Sequence, residues 1–284
     1  MKKVLLTGGT GFVGKNILPI LRKSFEVAAP SRQELNVLDE VAVKNYLQEQ
    51  HFDVVLHSAN PNPVKNPADD GRVPMLEGSL RAFMNLYQQR HFYGKMLYIG
   101  SGAEYDKRQD VVLGKEEDAV RSIPQEDYGF AKYIANVLAN QSNNVCNMRL
   151  FACYGPYDHE SKFITHVIRC CLRQETVTIR QDCYFDYLHV FDLGRMLSVM
   201  IREPQKHKSY NMCSGQRVSL REIAEIVCDL MNYDSKKIVF GKPGWNKEYT
   251  GSNQRFLEEY GPFEFTSLKD GIRQQIAWEK EHLL

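Results

Sequence analysis

Through its first half the chain alternates short apolar runs with longer stretches of helical periodicity. Val4-Leu5-Leu6 reads as a buried strand, and a glycine-rich turn leads from it into a helix over 12–23. Pro19 falls inside that stretch, where it predicts a kink or a cost of about 3 kcal/mol. Val27-Ala28-Ala29 is a weaker strand, followed by a helix over 39–50 and the apolar strand Val54-Val55-Leu56-His57. A helix over 75–90, a strand over 96–99, a helix over 128–140 and a strand over 146–150 continue the alternation. Strands separated by helices of about ten or more residues need crossover connections. The pattern therefore predicts an α/β protein with a doubly wound parallel sheet.

Beyond about residue 150 the pattern changes. Residues 154–158 read as loop, 162–173 as helix and 177–179 as a short strand. An amphipathic helix over 220–231, a polar irregular stretch over 241–251 and a terminal helix over 268–281 follow. With no internal repeat or linker, the second half is expected to be a small lobe packed on the sheet.

Composition narrows the function classes. The chain has 284 residues, room for one large domain or a domain plus a lobe. Lys+Arg is 36 against 35 Asp+Glu, a net charge of +1, so nothing in the charge points to nucleic acid or an anionic membrane. No apolar run approaches the roughly 18 residues of a bilayer span, and no secretory apolar region precedes the glycine turn. Seven scattered cysteines without a Cys-x-x-Cys pair disfavour a disulfide framework or zinc ribbon and fit a reducing cytoplasm. No metal site is expected.

Thr7-Gly8-Gly9-Thr10-Gly11-Phe12-Val13-Gly14 follows the first strand and opens the first helix. Glycines at 8, 11 and 14 allow a tight turn, close approach of backbone to a pyrophosphate, and close helix–strand packing. The helix N-terminus offers N–H groups and partial positive charge. Gly8, Thr10, Gly11, Phe12, Val13 and Gly14 are thus the candidate cradle of a Rossmann dinucleotide site; a purely structural glycine turn is the plain alternative. The second strand ends Ala29-Pro30-Ser31-Arg32, with no carboxylate before Glu34 to hold the ribose 2′-hydroxyl of NAD. Arg32 suits a 2′-phosphate, with Ser31 adding a hydroxyl, which points to NADP(H) unless Arg32 is an ordinary surface residue.

Tyr128 and Lys132 are four apart and share a helix face. An ammonium near a phenol favours the phenolate, so Tyr128 is expected to titrate towards neutrality and serve as acid or base. Ser101 lies just past the strand over 96–99, where a parallel sheet presents site residues, and its hydroxyl can hold the same substrate oxygen. A surface Tyr–Lys pair is the bland alternative.

With these motifs together, the chain resembles the extended short-chain dehydrogenase/reductases of the nucleotide-sugar epimerase and dehydratase type. The likeness includes the glycine motif, His57-Ser58-Ala59, Ser101, Tyr128 with Lys132, Arg149 with Tyr154-Gly155-Pro156, Tyr187-Leu188-His189-Val190-Phe191-Asp192 and Asn211-Met212-Cys213-Ser214-Gly215. Within that family it is most similar to NADP-dependent 4-keto-6-deoxy-sugar reductases of the GDP-L-fucose synthase type. The segment 32–39 resembles theirs after the second strand, and His166-Val167-Ile168 resembles the segment carrying a catalytic histidine. The resemblance adds Asn36, Val37, Ser58 and Ala59 to the cofactor site and His166 to the catalytic set. His166 could equally be a helix histidine packing on the lobe. It also implies a dinucleotide-binding domain over 1–155 and a mainly substrate-binding lobe over 156–284, with 184–202 returning to the core. A homodimer formed through the helices over 75–90 and 128–140 is expected as well.

The chemistry is narrowed by Ser101-Gly102-Ala103-Glu104-Tyr105. Dehydratases of the family carry an Asp-Glu pair where this chain has Gly102 and Ala103. Decarboxylating relatives carry Glu, and fucose-synthase-like enzymes the epimerising cysteine, at Ala103. Glu104 would point to the other face of a strand. Hydride transfer at one carbon remains: NADPH-dependent reduction of a nucleotide-linked 4-keto-6-deoxy sugar, with Tyr128 protonating the oxygen, Lys132 holding the nicotinamide ribose and Ser101 aligning the ketone. A 4-epimerase with retained NAD(P) and a non-catalytic NADP-binding protein are the alternatives. Lys162, with Asp158 and His159, lies where relatives contact the sugar nucleotide. Phe185 stands where relatives carry a diphosphate-gripping arginine, leaving Arg149, Arg180 or Arg217 to supply the charge. Trp245 sits where relatives close over the nucleotide.

Overall fold

The computed structural model describes residues 1–61 and 73–283. The first half runs β1 (Lys3–Thr7), α1 (Phe12–Leu21), β2 (Glu26–Ala28), α2 (Glu40–Gln50), β3 (Phe52–His57), α3 (Met75–Gln88), β4 (Tyr93–Ser101), β5 (Val111–Gly114), α4 (Asp127–Gln141) and β6 (Val145–Leu150). The second half runs β7 (Ala152–Tyr154), α5 (Phe163–Arg173), β8 (Val177–Ile179), β9 (Tyr184–Phe185), β10 (Tyr187–His189), α6 (Val190–Arg202) and β11 (Ser209–Met212). It ends with β12 (Val218–Ser219), α7 (Leu220–Met231), β13 (Ile238–Phe240), β14 (Tyr249–Gly251), α8 (Gln254–Tyr260) and α9 (Leu268–Leu283).

Six strands form the central sheet in the order β11-β6-β4-β3-β1-β2, with every neighbouring pair parallel. The expected doubly wound α/β fold is present. The order switches between β1 and β3, so the glycine turn after β1 and residues 58–59 after β3 open on one crevice at the carboxyl ends of the strands. On one face Ile17 and Leu21 of α1 pack with Leu193, Met196 and Met200 of α6. On the other, Val43 and Leu47 of α2, Phe83 and Leu86 of α3, and Ala135 and Ala139 of α4 close the core. Pro19 is accommodated in the last turn of α1, which stops at Leu21.

The sixth strand, β11, carries no apolar run. Ser209, Tyr210, Asn211 and Met212 are all buried, and Asn211 is accommodated because its amide donates to the Gly114 and Ser252 carbonyls at 2.9 and 3.1 Å. A four-stranded sheet in the order β12-β9-β14-β5 covers the carboxyl end of the main sheet, and β14 lies within the stretch read as irregular. The lobe has its own core, where Val167 and Ile168 of α5 meet Ile223 and Val227 of α7 and Ile272 and Ile276 of α9.

Two glycines of the first turn differ in what they protect. A Cβ at Gly14 would fall 2.2 Å from the Gly8 carbonyl oxygen, whereas one at Gly11 would meet nothing closer than that oxygen at 3.4 Å. Gly14→Ala is therefore expected to cost about 1–3 kcal/mol or more through overpacking. Gly11→Ala should stay within about 0.5 kcal/mol of the parent. Urea unfolding of the two variants measures the contrast.

Candidate active site

The crevice is built from close backbone contacts. Gly8 has φ +74°, and a Cβ there would stand 2.8 Å from the Ala59 nitrogen. The turn and residues 58–59 can approach this closely only because Gly8 has no side chain. The Ala59 N–H donates to Thr7 Oγ1 at 3.2 Å, and Thr7 Oγ1 meets His57 Nδ1 at 2.7 Å. Gly11 caps α1 without any side-chain acceptor for the helix's first N–H groups. Phe12, Val13 and Gly14 thus present their amides at an open turn, the donor set that a pyrophosphate satisfies. The residues present fit a dinucleotide. After β2, the Ser31 N–H donates to the Glu34 carboxylate at 2.7 Å, which holds that carboxyl below its ordinary range. Glu34 therefore folds back to Ser31 rather than standing remote from it. Asn36 accepts the Leu38 N–H, and the Val37 carbonyl accepts from Asn85 of α3.

Ser101 is the last residue of β4, one step earlier than its expected place beyond the strand. The turn that follows, Gly102–Glu104, is closed by a capping box: Ser101 Oγ accepts the Ala103 N–H at 3.1 Å, and the Glu104 carboxylate accepts the Ser101 N–H at 3.0 Å. Gly129 lets the first turn of α4 lie on it, for a Cβ there would be 2.5 Å from the Ala103 carbonyl oxygen. That contact brings Tyr128 to the Ser101 side of the site, where the Ser101 hydroxyl acts to lower the phenol's pKa. Lys132, one turn along, is buried and donates to the Ile99 carbonyl at 2.9 Å. Its ammonium lies 4.5 Å from the centre of the Tyr98 ring and 5.7 Å from that of Tyr128. His57 stacks on Tyr98 with ring centres 5.5 Å apart.

The electrostatics overturn one expectation. Lys132 does not bring Tyr128 towards neutrality: burial raises the phenol above its ordinary value, the Ser101 hydroxyl acts to lower it, and Glu104 acts to raise it. Burial lowers Lys132 to about 8, against the pull of Glu104. Burial, and then Lys132, push His57 down to about 3, so this imidazole is neutral. Desolvation is the largest cause at both groups because both sit away from water.

The remaining candidates divide. Ala103 is buried in the turn beside Ser101. Lys162 and Phe185 line one cavity of about 150 Å³ with Tyr154, Phe163 and Tyr187. Trp245 is 57% exposed and stacks on Tyr184 at 4.5 Å, while the Arg217 guanidinium lies 3.6 Å from the centre of the same ring. Arg217 is also forked onto the Glu248 carboxylate. Arg149 is corrected: it is fully buried and ion-paired to Glu104 at 2.7 Å, behind the site, and cannot reach a diphosphate. His166 is corrected too. It lies on the exposed side of α5 with Cys170 Sγ 3.6 Å from its Nε2, outside the cavity wall, and no contact joins it to Ser101 or Tyr128 among the described residues. Glu104 lies in a helical turn rather than a strand and points into the site's buried backing, so it is a residue that the sequence reading missed. Tyr249 is another: a Cβ on Gly102 would fall 1.9 Å from its hydroxyl.

Comparison with known proteins agrees with this geometry. The NAD dependent epimerase/dehydratase family matches residues 4–213. The chain is 26% identical over 302 residues to GDP-6-deoxy-D-mannose reductase of Pseudomonas aeruginosa, covering 98% of this chain and 97% of that protein. It is 23% identical to a probable dTDP-glucose 4,6-dehydratase of Sinorhizobium fredii, covering 99% and 93%. A GDP-L-fucose synthetase from Naegleria fowleri bound to NADP shares the fold with a TM-score of 0.87 at 19% identity, covering 99% and 93%. The chain belongs to the NAD dependent epimerase/dehydratase family, the extended short-chain NAD(P)-dependent oxidoreductases that act on nucleotide sugars. No helix among the described residues is long and apolar enough to cross a membrane.

Burial of Lys132 has a stability signature. Its proton is held in the unfolded chain up to about 10.5 and in the folded protein only up to about 8. The unfolded state therefore binds more protons between those values, and stability rises with pH through that window. Below it the desolvated ammonium costs on the order of 3 kcal/mol. Lys132→Met is expected to melt at a higher temperature than the parent at neutral pH. The gap should narrow as pH climbs from about 8 to 10.5, as calorimetry across that range will show.

Proposed function

We propose that this protein uses NADPH to reduce the 4-keto group of a nucleotide-linked 4-keto-6-deoxy sugar. The observation that carries the reading is that Gly129 seats the first turn of α4, with Tyr128, on the turn after Ser101 at the carboxyl edge of the sheet, where Gly102 and Ala103 have no titratable atom. A turn that offers no acid, base or thiol at 102 and 103 suits hydride transfer at a single carbon. It does not suit loss of water or cysteine-driven epimerisation. The likeness to GDP-6-deoxy-D-mannose reductase supports the same choice. NADPH rather than NADH is favoured by Ser31 and Arg32 in the loop after β2, where a 2′-phosphate would be held.

When bound, the reduced nicotinamide supplies the hydride. The chain's own residues do the rest. Gly8, Thr10, Gly11, Phe12, Val13 and Gly14 hold the pyrophosphate, with Asn36, Val37, Ser58 and Ala59 lining the crevice. Ser101 orients the ketone, and Tyr128 passes its proton to the oxygen as negative charge builds there. Lys132 holds the nicotinamide ribose. Lys162 and Phe185 receive the sugar nucleotide in the cavity, and the Trp245–Tyr184 stack stands ready for the base. Residues 1–155 carry the dinucleotide and 156–284 mainly the substrate, with 184–202 returning to the sheet through α6. Half-buried apolar side chains on the paired helices α3 and α4, among them Leu76, Leu80, Tyr133 and Val137, supply the face for a homodimer.

Turnover should appear as loss of NADPH absorbance with a panel of nucleotide-linked 4-keto-6-deoxy sugars. Tyr128→Phe should lower the rate by about 10²–10⁴-fold while NADPH still binds. Interconversion of 4-epimers without net NADPH loss would replace the reductase reading with the epimerase one. Sedimentation should show a dimer that Leu80→Glu with Val137→Glu converts to a monomer of unchanged secondary structure.

A further inference from the structure

Residues 154–158, from the end of β7 into the loop before α5, touch three parts of the molecule. Tyr154 and Asp158 line the same cavity as Lys162 and Phe185. Between them the Pro156 carbonyl accepts from Asn16 Nδ2 of α1 at 2.7 Å. The same nitrogen donates to the Phe12 carbonyl at 2.8 Å, so the segment is tied to the first turn of the glycine-led helix. Tyr157 meets the lobe's last helix: its ring centre lies 4.9 Å from that of Trp278 and 6.3 Å from that of His282, which itself stacks on Trp278 at 4.3 Å. Lys15, the residue after Gly14, places its ammonium 4.9 Å from the centre of the Tyr157 ring, a cation–π contact. Gly155 has φ +144° and Tyr157 φ +64°, one on either side of Pro156. Glycine adopts such angles freely, whereas a bulky side chain is held there against strain. Tyr157 keeps this backbone although it is 44% exposed and gains little from the core. Strain of this kind persists where surrounding contacts fix it, and it collects at functional sites. Trp278 Nε1 is buried without a hydrogen-bond partner among the described residues, so the indole is held by its ring contacts.

We propose that Tyr157 is a positioning residue for the dinucleotide: clasped between Lys15 of α1 and Trp278 of α9, it lets the seating of the lobe's last helix set how tightly the glycine turn holds the cofactor. The inference rests on the reading of that turn as the pyrophosphate cradle. The route is short. Trp278 fixes the Tyr157 ring, the ring fixes the backbone beside Pro156, and the Pro156 carbonyl fixes Asn16. Asn16 in turn holds the Phe12 carbonyl in the first helical turn, next to the amides that face a pyrophosphate. Lys15 anchors the same ring directly to that helix. Because Tyr154 and Asp158 of the same segment line the cavity, a shift of the clasp is felt at the cofactor turn and at the substrate cavity together.

Calorimetric titration of the full chain with NADP⁺ alone tests this and needs no sugar, so its failure is separate from failure of the reductase reading. Trp278→Ala, which removes a ring on α9 and leaves the glycine turn untouched, is expected to raise the Kd for NADP⁺ by about threefold or more. Tyr157→Gly should do the same. It keeps the fold within reach if Trp278→Ala does not, because the ring it removes is exposed and glycine accepts the left-handed backbone without strain. Tyr157→Phe keeps the ring between Lys15 and Trp278 and should bind as the parent does, a rescue that a general loss of stability would not show. Circular dichroism confirms that each variant is folded. A smaller rise for Tyr157→Gly, or for a folded Trp278→Ala, overturns the proposal, as does a Tyr157→Phe protein that binds as weakly as Tyr157→Gly. A parent that binds no NADP⁺ overturns the proposal too, since nothing is then held for the clasp to position.

Discussion

The ion pair between Glu104 and Arg149 is the contact on which the carboxyl end of the sheet depends. Both side chains are fully buried, and each end of the pair reaches a different strand. Glu104 holds the turn after β4, and Arg149 crosses to Asn211 in β11, whose N–H donates to the Glu116 carboxylate at 2.8 Å. Glu116 in turn lies 3.7 Å from Arg255. Three neighbouring strand ends, β4, β6 and β11, are thus cross-linked by polar side chains where a parallel sheet ordinarily ends in loops. Such a network is weak evidence for net stability, since an apolar core of the same volume can do as well. What it does secure is geometry: removing one partner strands the other in a dry interior, so the arrangement resists partial loosening.

That geometry matters because the site is assembled from elements far apart in sequence. The first turn of α1, the ends of β3 and β4 and the start of α4 meet only because right-handed crossovers bring every strand's carboxyl end to one edge. Glycines then set the distances. Gly8 allows the α1 turn to sit on β3's exit, Gly14 allows that turn to close against Gly8 and Gly9, and Gly129 allows α4 to sit on the Ala103 carbonyl. A methyl group at any of them would force these backbones apart.

The alternation of apolar runs and helices made the sheet and its winding legible from sequence, because a strand buried on both faces must be apolar throughout. It could not reveal β11 or β14, whose polar residues are buried in hydrogen bonds that depend on distant partners. The glycine turn and the Ser101, Tyr128 and Lys132 set were legible as well, since spacing alone puts them at known places on strand ends and one helix face. Their electrostatics were not. The Tyr–Lys spacing suggested attraction, but burial of both groups dominates, and burial is a property of the fold. Arg149 shows the same limit from the other side. Its residue type suggested a phosphate ligand, and only Glu104, 45 positions away, reveals that its charge is already committed. His166 shared a local segment with catalytic relatives, yet helical phase turns it outward, while Ile164, Val167 and Ile168 face the core.

The turn after β4 is held by residues on either side of 102 and 103. Gly102 and Ala103 make no side-chain hydrogen bonds that the turn needs; the turn is closed by Ser101 and Glu104 on either side of them. Ala103 is buried, and a Cβ at Gly102 would meet the Tyr249 hydroxyl at 1.9 Å, so a functional side chain at 102 requires Tyr249 to move, while the capping box, the Arg149 pair and the Gly129 contact involve neither side chain. Ser101 and Tyr128 are set by that frame rather than by what stands at 102 and 103. With no titratable side chain at 102 or 103, Ser101 and Tyr128 are still held in place, because the contacts that position them involve the backbone of the turn and not those two side chains.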